Sequence, residues 1–146
     1  MRKNLSRERS CYCIKLRRAT NTLTKYYDQA LAPVGLTLSQ YSLLNDIRYL
    51  QSCNKSELAQ CANLDRTTVI RNLAMLRERG LVRETPGPDK RNNLIELTEL
   101  GQSLINEARV PWEQAQKRLR ELVGEDGMER FSQVLAIIDS PDLFRE

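Results

Sequence analysis

No histidine occurs anywhere in the 146-residue chain. The commonest general base and the commonest metal-ligating side chain are therefore both missing. Four cysteines stand at positions 11, 13, 53 and 61, a spacing unlike that of a zinc site. There is no glycine-rich phosphate loop, no nucleophile elbow and no pair of carboxylates on one face, which argues against an enzyme and against any cofactor. Aromatic residues make up only 5% of the chain, so leucine, isoleucine, valine and alanine must supply the core. No apolar run approaches the length of a membrane span, and the N-terminus lacks the apolar stretch of a signal peptide. The expectation is a cytoplasmic protein with no membrane association, whose cysteines rest as thiols.

Hydrophobic residues make up 40% of the chain and charged residues 29%. That balance fits an ordinary folded domain, and the length suits a single unit over residues 1–146. The net charge of +4 is unevenly spread. Residues 1–18 carry seven basic side chains against one acid, and residues 65–91 seven against four. Residues 123–146 reverse the sign, with two basic side chains against six acids. Basic charge at the N-terminus and around residues 65–91 is what a phosphate-facing surface requires, although charge runs alone usually serve solvation.

The stretch from Lys55 to Asn93 carries most of the information. Asn54 can cap a helix, and Glu57 three residues on completes a capping box. Leu58, Ala59 and Ala62 would be its buried face. Asn63 falls where the chain must turn sharply, and asparagine tolerates left-handed backbone geometry. Asp65 is a plausible cap for a second helix over 65–79, ended by Gly80. On that helix Val69, Leu73 and Leu76 form one apolar stripe. Thr67, Ile70, Arg71 and Ala74 face the other way, flanked by Arg66 and Thr68 in the first turn. This outward face holds no acid. Its hydroxyl and guanidinium groups can bond phosphates and base edges, and Ile70 can meet a thymine methyl.

Residues 81–85 and 94–97 are strand-like runs joined by Pro86-Gly87-Pro88-Asp89-Lys90-Arg91-Asn92-Asn93. Lys90 and Arg91 suit a narrow minor groove, with Asp89 placed to orient Arg91. The bland alternative is a solvated hairpin tip. Together these elements read as a winged helix-turn-helix, mainly α with a small β-hairpin, a device for reading duplex DNA.

The run Leu64-Asp65-Arg66-Thr67-Thr68-Val69-Ile70-Arg71-Asn72-Leu73, with Leu76-Arg77-Glu78-Arg79-Gly80-Leu81-Val82 after it, resembles the MarR family of bacterial transcriptional regulators. Asp89-Lys90-Arg91 is similar to that family's Asp-x-Arg wing signature. Leu97-Thr98-Glu99-Leu100-Gly101 resembles the Leu-Thr-x-x-Gly that opens its long dimerisation helix. The resemblance covers nearly the whole chain. It implies a homodimeric repressor-type regulator, with a reader and wing over about 37–97 and interlocking dimerisation helices over about 8–32 and 98–140.

The flanking segments read as helices in their own right. From about Glu8 to Leu31, Tyr12, Leu16, Ala19, Leu23, Tyr27 and Ala30 recur at helical steps, until Pro33 and Gly35 stop them. Thr37 and Gln40 can box-cap the next helix, to about Tyr49, with Tyr41, Leu43, Leu44 and Ile47 inward. Thr98 can cap a long helix carrying Leu100, Leu104, Ala108, Trp112, Ala115, Leu119 and Leu122, with a kink expected at Pro111. A last helix over about 126–139 carries Phe131, Val134, Leu135 and Ile138. These stripes exceed what a small reading module needs. A two-fold dimer would bury them and present two reading helices to a pseudo-palindromic site; the alternative is a monomeric bundle.

The resemblance also implies a sensor. Cys13 aligns with the reactive cysteine of the organic-hydroperoxide-sensing branch, and Tyr27 with a tyrosine that bonds that cysteine across the dimer. Arg17 and Leu38 stand where that branch has further tyrosines. Lys15, Arg17 and Arg18 could favour the thiolate, whereas a free cysteine is often only a small buried apolar group. Cys53 and Cys61 are expected to be structural. The competing control is a small phenolic or aromatic effector between reader and dimer helices, or none at all. The rival to DNA binding is a winged-helix protein-interaction module.

Overall fold

Residues 11–89 and 92–145 are described by the structure, a computed structural model. Helix α1 spans Tyr12–Leu31 and runs into a 3-10 turn over Ala32–Val34. Then come α2 (Leu38–Leu50), α3 (Lys55–Ala62) and α4 (Arg66–Glu78). Strands β1 (Val82–Thr85) and β2 (Leu94–Leu97) form an antiparallel hairpin in which Val82 faces Leu97 and Glu84 faces Ile95. Helices α5 (Glu99–Val123) and α6 (Glu125–Ile138) follow, with a 3-10 turn over Pro141–Phe144.

Local chemistry sets most of these boundaries. Thr37 with Gln40, and Asn54 with Glu57, each form a reciprocal capping box. Such boxes satisfy two otherwise unpaired backbone donors at a helix start. Asp65 and Thr98 cap α4 and α5 through side-chain oxygens. Asn63, at φ 50°, supplies the left-handed turn after α3. Gly80, at φ 72°, does so after α4, where Leu81 N–H bonds back to Leu76 O at 2.9 Å. That six-to-one closure is a Schellman stop.

One core unites the reader with its braces. Leu43, Leu44 and Ile47 of α2, Leu58 of α3, Val69, Leu73 and Leu76 of α4, and Ile95 of β2 are all buried together. Ile105 and Ala108 of α5 close it from the other side. Tyr41 packs against Trp112 with ring centroids 6.0 Å apart. The wing is anchored at its base: Cys53 and Ile95 exchange both backbone hydrogen bonds, at 3.2 and 2.7 Å. Asp28 of α1 accepts from Leu38 N–H at 2.7 Å and ties α1 to the start of α2.

Pro111 lies inside α5, which is one helix from Glu99 to Val123. The buried face of α5 is Gly101, Ile105, Ala108 and Ala115. Ile105 is fully buried and Leu104 half-buried against the same core, while Leu100 and Leu122 are exposed in the single chain, on the stripe the expected dimer would cover. The reason is direction: the helix turns the i, i+4 line through Gly101 toward the backbone of Leu81, so its neighbours one position off that line rotate outward. Within the single chain the α1 stripe is covered only in part. Tyr27 is buried, but Tyr12 is 86% exposed. The expected start of that helix, Glu8 to Ser10, lies outside the described residues.

Candidate nucleic-acid interface

Helix α4 separates cleanly into two faces. Val69, Leu73 and Leu76 are turned into the core, each at most 2% exposed. Arg66, Thr67, Ile70, Arg71 and Ala74 are exposed, and none of the five is an acid. Asp65 sits at the helix start and is committed locally. Its Oδ2 accepts Thr68 N–H at 2.9 Å and its Oδ1 accepts the Thr68 hydroxyl at 2.6 Å. Those two bonds, the side-chain one first, hold the Asp65 carboxyl below the usual range, so it stays charged and bound to its own helix. Thr68 thereby spends its hydroxyl proton inside the cap, so it has none to donate to a phosphate and its oxygen can only accept, as from a base amino group.

The hairpin lies beside this face. Arg83 pairs across the strands with Glu96 at 3.0 Å. Asp89 is exposed in the loop, and its carbonyl accepts Asn92 N–H at 3.0 Å. Lys90 and Arg91, the expected tip cations, lie outside the described residues. A group absent from the expected set stands where the two elements meet. Glu84 of β1 reaches Arg77 of α4 at 3.1 Å and Lys55 of α3 at 3.6 Å. Only the pairing register places Glu84 on the inward side of the hairpin, so composition and helical periodicity give no hint of it.

The sensor candidates both lie on α1, outside the reader. Cys13 is exposed near the start of α1. It lines an apolar groove of about 560 Å³ with Tyr12, Leu16, Ala19, Ile138 and Leu143. Tyr27 is buried, and its hydroxyl bonds the side-chain oxygen of Gln116. Burial first, and then the neighbouring Tyr26, push its pKa up. Cys13 and Tyr27 are 14 positions apart on one helix, roughly 21 Å along the axis, so they meet only between two chains. The thiol held below its ordinary pKa is Cys11, by the backbone N–H groups of Ile14 and Cys13 and then by Arg17. Cys53 is buried, whereas Cys61 is exposed, its thiol pushed up first by desolvation and then by the nearby Asp46. Among the described residues no group of three or more His, Cys, Asp or Glu could hold a metal ion.

This arrangement of capped helix pair, outward basic face and adjoining hairpin defines a winged-helix DNA-binding domain, and the family model of that description matches residues 36–101. The chain belongs to the MarR family of transcriptional regulators, a class of DNA-binding proteins that are not enzymes. The transcriptional regulator MosR of M. tuberculosis, solved in complex with DNA, is 34% identical over 90% of this chain and 100% of its own, with a TM-score of 0.73. MarR from E. coli, in a mutant complexed with operator DNA, shares the fold at 21% identity, a TM-score of 0.82 and coverage of 88% and 93%. An uncharacterized HTH-type regulator of Bacillus subtilis, YwoH, is 27% identical over 81% of this chain and 86% of its own length. No helix among the described residues is long and apolar enough to cross a membrane.

Proposed function

We propose that the 146 residues act as one unit in a homodimeric regulator that reads a pseudo-palindromic duplex. Arg66, Thr67, Thr68, Ile70 and Arg71 enter the major groove, and Asp89, Lys90 and Arg91 of the wing meet the flanking minor groove. The observation that carries this reading is the outer face of α4, exposed and free of acids while its opposite side is buried. A protein-interaction module has no need of that charge pattern. The MosR and E. coli MarR complexes with DNA support the same reading. Dimerisation is supported by the apolar surface that a single chain leaves open: Tyr12, Leu122, Ile137 and Phe144 are all exposed. Exposed apolar patches of this kind mark association surfaces.

Titration of duplex DNA at several salt concentrations tests the function. Affinity should fall steeply as salt rises, because phosphate contacts release counterions. Arg71→Ala should weaken binding to the preferred site by about 1–3 kcal/mol. Affinity that ignores salt, together with an unchanged Arg71→Ala, would assign the protein to the interaction modules.

Release is proposed to act by one of two routes, the first at Cys13. A hydroperoxide can be attacked by the Cys13 thiolate, giving a sulfenic acid and expelling the alkoxide. Alternatively a small aromatic or phenolic ligand lodges between the reader and the dimer helices. Peroxide should free the parent from DNA and leave Cys13→Ser bound; release of both would exclude Cys13 as the switch.

A further inference from the structure

The side chain of Glu84 is only 12% exposed, although it stands on a two-stranded hairpin at the protein surface. Strand alternation sets it on the same side as buried Val82, while Arg83 between them points outward to Glu96. On that inward side three elements converge on one carboxylate. Arg77, in the last turn of α4, donates to its Oε1 at 3.1 Å. Lys55, the first residue of α3, lies 3.6 Å from its Oε2. Asn93, just before β2, donates to the same Oε2 at 3.4 Å. An isolated surface ion pair contributes little, but a mostly covered acid shared by several donors behaves as a network. Between β1 and the reading helix this carboxylate forms a charged link, and it stands one residue before Thr85, where the wing loop departs.

We propose that Glu84 is a positioning residue that fixes the wing against α4, so that both meet a single duplex in a set register. Glu84 touches no DNA in this scheme; it acts through the two elements that do. The inference rests on the DNA-reading function above. It also accounts for an acid within the basic region without placing that acid against phosphate.

The test uses a duplex selected from random sequence by the parent protein. Glu84→Thr keeps a good strand former but cannot reach Arg77, and Arg77→Met breaks the same link from the helix side. Thermal melts first confirm that each variant is folded; if Glu84→Thr is not, Arg77→Met carries the test alone. Hydroxyl-radical footprints are then taken at saturating protein. The expected result is loss of protection in the flanking minor groove with the central major-groove contacts kept, and affinity lower by about tenfold, as for partners in one network. The double variant should lose little beyond either single one. A merely destabilised protein would bind less but leave the same footprint at saturation. Unchanged flanking protection, or losses that simply add, overturns the role of Glu84 and leaves the function standing. A parent that protects no duplex at all removes the function and this inference together.

Discussion

Cys53 and Cys11 are the same side chain in opposite surroundings. Burial first, then the nearby charges of Glu57, Cys61 and Asp46, push the Cys53 thiol up to about 11. Cys11 sits at the start of α1, where backbone N–H groups favour its thiolate and pull the pKa down. The thiolate is the reactive form, so a lowered pKa means a larger reactive fraction near neutral pH. Iodoacetamide near neutral pH should therefore label Cys11 well before Cys53, with Cys53 modified only as the protein unfolds. Mass spectrometry after timed quenching reads the order, and equal rates would contradict the burial of Cys53. The sequence offered Cys53 as structural and that was legible from its place beside the first reading helix. Cys61, offered in the same way, is exposed one helical step from buried Leu58.

Among the elements, the start of α5 is the most constrained. Thr98 accepts Gly101 N–H at 3.0 Å and donates its hydroxyl to Gly80 O at 2.6 Å, joining the end of α4 to the beginning of α5. Gly101 lies so close to the backbone of Leu81 that any Cβ would overlap the Leu81 carbonyl oxygen. Gly101→Ala should force α5 away from the hairpin and cost about 1–3 kcal/mol, as overpacked sites do. A denaturant melt measures it, and an unchanged midpoint would contradict the close approach. Caps, turns and the two faces of α4 were legible beforehand because each is written in residues within four positions of one another. The inner line of α5 was legible only in part, since Ile105 and Leu104 are equally apolar and both meet the core, with Ile105 the more deeply buried. Glu84 was hidden for a related reason: its partners come from α3, α4 and the far side of the hairpin, separated from it by up to 29 positions.

Taken as one molecule, the chain buries the inner face of its reader fully and its flanking helices only in part. The reading half has a closed core of Leu, Ile and Val, while α6 places Val134, Leu135, Ile137 and Ile138 in the open. A second copy covering that surface about a two-fold axis would supply the second α4 face that the proposed function requires. The most direct measurement is selection of bound duplexes from a random pool, followed by the mass of the complex formed on the winner. The prediction is an inverted repeat whose halves are centred about 10–10.5 base pairs apart, or a multiple of that, carrying two chains. A single unrepeated motif held by one chain, or a pool that never enriches, would contradict it.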